Sequence, residues 1–135
     1  MEELSRRLPM KYLVLIYGNP ASRAAWAGMS DEQKAEGLRA YQRFHEELER
    51  TGERIVSERL AAPELTKQVH VRADGVSTTD GPFAEIKEQL AGFYLLECDS
   101  EARALEIAAR IPEAPFATIE VRPVMGLTGD VDFEL

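Results

Sequence analysis

The side chains best suited to acid–base chemistry in this sequence are those of Tyr41, His45 and Asp80. Tyr41 and His45 are four positions apart, so within a helix the phenol and the imidazole lie side by side. A neutral imidazole next to a phenol in a partly dry cleft can move protons near pH 7. A single histidine on an apolar helix face is, however, more often a hydrogen-bonded core residue. These three residues are catalytic candidates, and the structural alternative stays open.

A second candidate site begins at Asp80, in the segment DGPFAEIKE. Its Gly-Pro pair holds the backbone in a specific bend, because glycine permits positive φ and proline fixes φ. Asp80 can cap such a turn through its carboxylate, and Glu85 and Lys87 add charges beside it. One interpretation is a structural corner with surface ion pairs. The other is a ligand-binding site formed by these side chains, with Arg122 holding an anionic group where its strand face lines a cavity.

Metal and cofactor chemistry has no support in the sequence. The two histidines, His45 and His70, are far apart and the single cysteine, Cys98, lies in an apolar strand, so no ligand spacing matches a zinc or iron site. Glycine-rich phosphate-binding motifs and the G-x-S-x-G motif of serine hydrolases are also missing. We therefore predict that the protein uses neither a metal nor a cofactor.

Charge and composition limit the classes of partner. Sixteen Lys and Arg against 24 Asp and Glu in 135 residues give a formal net charge of −8. Such an acidic surface repels phosphate backbones, so we predict that nucleic acid is not a partner. No stretch approaches the ~20 apolar residues that cross a bilayer, and one cysteine permits no internal disulfide. These features predict no membrane contact and a location in the cytoplasm, a reducing compartment.

The chain length fits a single domain. Residues 1–9 carry charges but no apolar segment, so they are not a secretory signal, and we expect them to be a disordered extension. Residues 10–125 are expected to form the domain, and residues 126–135 an acidic tail.

Hydrophobic periodicity predicts six strands and two helices. The predicted strands cover residues 12–17, 54–60, 67–72, 76–80, 91–98 and 118–123, and the helices cover residues 31–51 and 101–111. Ser30 and Gln33 form an approximate capping box at the start of the first helix, and a loop carrying Trp26 precedes it. The predicted inward stripe of that helix consists of Leu38, Tyr41, Phe44, His45 and Leu48.

This order of elements predicts an α+β fold, a ferredoxin-like antiparallel sheet with two helices on one face and an inserted β-hairpin. Two helices cover only one face, yet the strands at 12–17 and 93–96 are apolar on both. Leaving several large apolar side chains in water would cost several kcal/mol, at ~25 cal/mol per Å². We therefore predict a homodimer packed through the sheet face around a two-fold axis.

Three segments, residues 11–17 (KYLVLIY), 80–94 (DGPFAEIKEQLAGFY) and 120–124 (EVRPV), together resemble the YCII-related family and, more narrowly, its DGPF branch. The resemblance covers residues 10–124. It implies a dimeric α+β barrel in a bacterial cytoplasmic protein.

The resemblance implies two alternative functions. Proteins of the wider family resemble cofactor-free lyases and isomerases, which implies a small-molecule ligand in a cleft between the sheet and the first helix, lined by Tyr41, His45, Asp80 and Arg122. DGPF-branch proteins are often associated with extracytoplasmic-function sigma factors, which implies an accessory or sensing protein with a protein partner linked to such a factor. The YCII branch has a histidine and an aspartate at positions that carry Tyr41 and Ile111 here, so whether the chain is an enzyme stays open.

Overall fold

The computed structural model describes residues 10–81 and 87–126. In that part of the chain the elements, in order, are β1 (Met10–Gly18), α1 (Pro20–Ala27), α2 (Asp31–Thr51), β2 (Arg54–Arg59), a short 3₁₀ helix (Pro63–Leu65), β3 (Lys67–Arg72), β4 (Gly75–Asp80), β5 (Gln89–Cys98), α3 (Glu101–Ala109) and β6 (Thr118–Pro123). None of these helices is both long enough and sufficiently apolar to cross a membrane. The predicted extension, residues 1–9, and residues 127–135 of the predicted tail lie outside the described residues.

Four strands form an antiparallel sheet in the order β2-β5-β1-β6. The two central strands, β1 and β5, place Leu13 opposite Leu95 and Leu15 opposite Phe93. The other two strands pair at the edges, β6 with β1 and β2 with β5. The predicted α+β fold with a ferredoxin-like antiparallel sheet is confirmed.

The hydrophobic core lies between this sheet and the helices α2 and α3. Because successive strand residues point to opposite faces, β1 contributes every second residue and β5 does the same. The core residues are Val14, Ile16, Phe44, Leu48, Tyr94, Leu96, Ile107, Ala108 and Ile111. Arg103 of α3 also forms a bidentate ion pair with Glu53, at 2.8 and 2.9 Å, and this pair links α3 to the residue just before β2.

The opposite face of the sheet, which we call the outer face, carries Leu13, Leu15, Phe93 and Leu95 at its centre. All four are half-buried within the single chain. Apolar residues are therefore present on both faces of the central strands, as the sequence predicted, and the helices cover one face only.

The loop predicted around Trp26 is instead the helix α1, and that prediction was wrong. Asn19 caps this helix: its side chain accepts from the backbone N–H of Ser22 at 2.8 Å, and the Ser22 hydroxyl accepts from the Asn19 N–H at 2.9 Å. Pro20 occupies the first helical turn. An Asn-Pro pair is typical of a turn, but the same two residues favour the N-cap and first position of a helix.

Helix α2 begins and ends as predicted. The Ser30–Gln33 capping box is confirmed, and Gly52 ends the helix in the left-handed conformation at φ 73°. The predicted inward stripe is wrong at Leu38, whose side chain is 55% exposed, while Leu48 is fully buried. A helix of 21 residues is ~31 Å long, whereas six-residue strands such as β2 and β6 are ~20 Å long, so the sheet buries only part of the helix.

The predicted hairpin is confirmed as a separate two-stranded sheet formed by β3 and β4. Its turn contains Asp74, and Gly75 adopts φ 138°, a conformation that side chains disfavour. We call the two strands from Lys67 to Asp80 the arm.

Candidate functional site

His45 and Tyr94 form a direct contact between helix α2 and the sheet. The Nε2 atom of His45 lies 2.5 Å from the hydroxyl oxygen of Tyr94. Tyr94 is buried on the face of β5 that the helices cover, whereas His45 is half-buried. One ring nitrogen of the imidazole is therefore anchored, while part of the ring is exposed to solvent.

Tyr41 stands beside this contact, as the four-residue spacing predicted. The ring centroids of Tyr41 and His45 are 5.7 Å apart, in an edge-on arrangement with an interplanar angle of 71°. Phe44 and Tyr94 add a second edge-on pair at 6.0 Å. The structure thus brings Tyr41 and His45 together and adds the phenol of Tyr94 to them.

A cation lies at the edge of this aromatic group. Arg54, the first residue of β2, donates from Nη1 to Ser57 Oγ at 3.1 Å and from Nη2 to Glu49 Oε1 at 2.5 Å. Its Nε atom is buried and has no hydrogen-bond partner within the part of the chain that the structure describes. In the β2–β5 register Ser57 is directly opposite Tyr94. We refer to Tyr41, His45, Tyr94 and Arg54 as the His45 site.

Burial and the Arg54 charge set the protonation state of the site. Burial, helped by the positive charge of Arg54 and opposed by Glu49, lowers the pKa of His45 below its usual value of 6.5. Burial raises the pKa of Tyr94 to about 12, and Arg54 partly opposes that shift. Both groups are therefore neutral near pH 7 and share one hydrogen bond. A neutral imidazole can accept a proton, and a protonated phenol can donate one.

The lowered pKa of His45 predicts a pH-dependent stability. Below about pH 6.5 the unfolded chain protonates this histidine more readily than the folded chain does, so the free energy of unfolding falls as the pH is lowered through that range. Urea unfolding of the His45→Gln variant is expected to show a smaller fall between about pH 8 and about pH 5. The His70→Gln variant, which retains His45, is the control and should keep the full fall. An unchanged pH profile in His45→Gln would contradict the prediction.

Asp80 is not part of the His45 site. It ends β4, and its carboxylate lies 2.5 Å from Nζ of Lys67, its cross-strand neighbour, with both side chains exposed. Gly81 follows with φ 84°, the positive φ that was predicted for it, while Pro82 of the predicted bend lies outside the described residues. An exposed ion pair of this kind contributes ~0–1 kcal/mol. Lys87 is exposed, and Glu85 lies outside the described residues.

Arg122 is on the other side of the sheet from His45. It lies on β6 directly opposite Leu13, on the outer face. On the same face the hydroxyl of Tyr17 donates to Glu120, which, with burial, raises the pKa of Tyr17. The predicted cleft lined by both His45 and Arg122 is therefore not formed within one chain, because the four-stranded sheet lies between them.

Sequence reasoning missed two members of the His45 site and, elsewhere in the chain, one half-buried acid. Tyr94 was assigned only to an apolar strand, although its hydroxyl needs a hydrogen-bond partner when buried and the alternation of β5 places it with the core residues. Arg54 gave no signal, because a charged residue at a strand start usually lies in solvent. Glu113, in the turn after α3, is half-buried, and that burial raises the pKa of its carboxyl group.

The residues that could bind a metal or act as a nucleophile are dispersed. Within residues 10–81 and 87–126, no three His, Cys, Asp or Glu side chains are grouped so that they could hold a metal ion. Cys98 is buried, and burial raises the pKa of its thiol, which disfavours the reactive thiolate.

The sequence profile of the YCII-related domain matches residues 10–128. The chain belongs to the YCII-related family. An uncharacterised protein of Rhizobium meliloti (strain 1021) is 37% identical over 117 residues, which cover 85% of this chain and 92% of that relative. In this YCII-related chain Ile111, which stands where the resemblance implies an aspartate, is buried in the core. The groups of the His45 site that could exchange a proton are therefore the side chains of Tyr41, His45 and Tyr94.

Proposed function

We propose that this YCII-related protein binds a small molecule at the His45 site and exchanges a proton with it. The observation that carries the proposal is the 2.5 Å contact between His45 Nε2 and the Tyr94 hydroxyl, made by a half-buried imidazole. Core histidines that serve only packing are usually enclosed, whereas this ring is held in a fixed orientation and remains accessible. The proposal assigns proton transfer to His45 and orientation of the imidazole to Tyr94.

The charges around the site favour a ligand with an acidic group or an enolisable carbonyl. The Arg54 guanidinium is paired with Glu49 at 2.5 Å, yet it still acts on the imidazole as a positive charge, because it helps to lower the pKa of His45. Such a charge stabilises a carboxylate or the oxyanion that forms when a proton next to a carbonyl is removed. A positioned imidazole typically accelerates such a transfer by about 10²–10⁴-fold. This chemistry suits a cofactor-free isomerase or lyase.

A thermal-shift screen tests the ligand site directly. The wild-type protein and the His45→Ala variant are screened against a few hundred metabolites rich in carboxylates and keto acids. A ligand at ~100 times its dissociation constant stabilises the folded chain by about 2.7 kcal/mol, which gives a measurable rise in melting temperature. We expect hits that are lost in His45→Ala.

The second histidine of the chain supplies a matched control. His70 lies on β3, outside the His45 site, so His70→Ala is expected to keep every hit. Hits that survive in His45→Ala would place the ligand elsewhere. If the folded wild-type protein gave no hit and instead bound an extracytoplasmic-function sigma factor, the accessory role implied by the DGPF resemblance would replace this proposal.

We also propose that the protein is a cytoplasmic homodimer closed through the outer face of the sheet. The support is the apolar centre of that face, formed by Leu13, Leu15, Phe93 and Leu95. A second copy related by a two-fold axis presents the same apolar face and covers it. In such a dimer Arg122 and the Tyr17–Glu120 pair would lie at the border of the interface.

A further inference from the structure

The arm carries its apolar side chains on the face that points to solvent. Val69, Val71 and Val76 share this face, and Val71 is directly opposite Val76 in the register. Their exposed fractions are 63, 75 and 69%. The other face carries Gln68 and His70, which are both half-buried. A hairpin that served only its own chain would have the reverse arrangement, with the valines inward.

The arm also lacks the support that a hairpin normally receives. Its strands pair with each other and not with the four-stranded sheet. Every residue of β4 is exposed. An isolated two-stranded hairpin is marginally stable in water at best, and it becomes stable when an apolar face packs on another surface. The valine face of the arm is the surface available for that packing.

We propose that the valine face of the arm docks on a second copy of this chain. The proposal rests on the dimer proposed above and adds a second contact to it. The four strands are ~4.8 Å apart and six to ten residues long, so they offer a sheet face of roughly 490 Å². A stable interface of standard size buries about 800 Å² of each partner, so a face of this extent is small. The arm supplies the additional apolar contact.

The charge of the arm is suited to this partner. The whole chain has a net charge of −8, so two copies repel each other at long range. Within the arm, Lys67 and Arg72 balance Asp74 and Asp80, which leaves the hairpin neutral apart from His70. An arm with no net charge approaches an acidic copy without the repulsion that the rest of the surface would cause.

A mixed-label NMR experiment tests the arm contact. Full-length chains with ¹³C-labelled valine methyl groups are mixed with equal amounts of unlabelled chains, after sedimentation equilibrium has established the oligomeric state. We expect a dimer in which Val71 and Val76 methyls show cross-relaxation to protons of the unlabelled chain. A dimer without such signals from these methyls would overturn the arm contact and leave the sheet-face dimer standing. A monomer at ~100 µM would overturn both.

Variants of the arm give a second test that does not depend on assignment of the spectra. The double substitution Val71→Thr and Val76→Thr keeps β-forming residues but places hydroxyl groups on the apolar face. The dimer dissociation constant is expected to rise by about tenfold or more. Thr79→Ser, which removes a methyl group from the opposite face of β4, is the control and should leave the constant unchanged. Equal constants for the double variant and the wild type would contradict the proposal.

Discussion

Replacing Leu13 by aspartate is expected to convert the proposed homodimer into a folded monomer. Leu13 lies on the outer face of β1, between Leu95 of β5 and Arg122 of β6. In the monomer the new carboxylate would be solvated and directly opposite the Arg122 guanidinium, so the chain can still fold. In the dimer the same carboxylate would be carried into an apolar interface, at a cost of several kcal/mol.

Sedimentation equilibrium measures the dissociation constant of the dimer. We expect the constant of Leu13→Asp to be at least about 100-fold higher than that of the wild type. The control is Leu105→Asp, since Leu105 lies on α3, has a half-exposed side chain and is remote from the outer face. That variant is expected to remain a dimer. If Leu13→Asp were as dimeric as the control, the sheet face could not be the interface, whatever the fate of the arm.

The second large effect is expected in the core under the His45 site. Leu48 is fully buried between α2 and the sheet, whereas Leu38, on the same helix, is 55% exposed. Replacing Leu48 by alanine removes buried apolar atoms and leaves a cavity, which typically costs 2–5 kcal/mol in the free energy of unfolding. The melting temperature should fall by roughly 10 °C for a domain of this size.

Leu38→Ala is the matched control, because it makes the same chemical change on the same helix. It is expected to cost less than about 1 kcal/mol, since most of the Leu38 side chain is already in water. Urea unfolding of the two variants measures both values. Equal losses would mean that the N-terminal half of α2 is covered in the intact protein, for example by the partner subunit.

Most of the fold could be predicted from local patterns. The capping box at Ser30, the Gly52 stop and the Asp74-Gly75 turn are decided by a few neighbouring side chains and backbone conformations, so the limits of α2 and of the arm follow from short stretches of sequence. The unbroken apolar run of β1 likewise indicates a central strand with both faces apolar. The helix α1 escaped prediction because Asn-Pro fits both a turn and a helix start.

The same reasoning predicted only two of the four residues of the His45 site. The spacing of Tyr41 and His45 along one helix fixes their proximity, because residues four apart share a helix face. Tyr94 and Arg54 come from other elements, 49 and 9 residues beyond His45 in the chain. Their approach depends on how α2 lies across β5 and β2, and no local pattern encodes that crossing. The separation of Arg122 from His45 has the same origin, since the face of β6 on which it lies follows from the sheet order.

The sequence by itself therefore determined the element types, the acidic charge, the two-faced apolar strands and the Tyr41–His45 pair, since each depends on residues close together in the chain. Only the tertiary structure decided that His45 meets Tyr94 beside Arg54. Only the tertiary structure also showed that the valine face of the arm points to solvent. These relations arise from the packing of distant segments. Burial lowers the pKa of His45 and differs between the two faces of the arm, and it is a property of that packing.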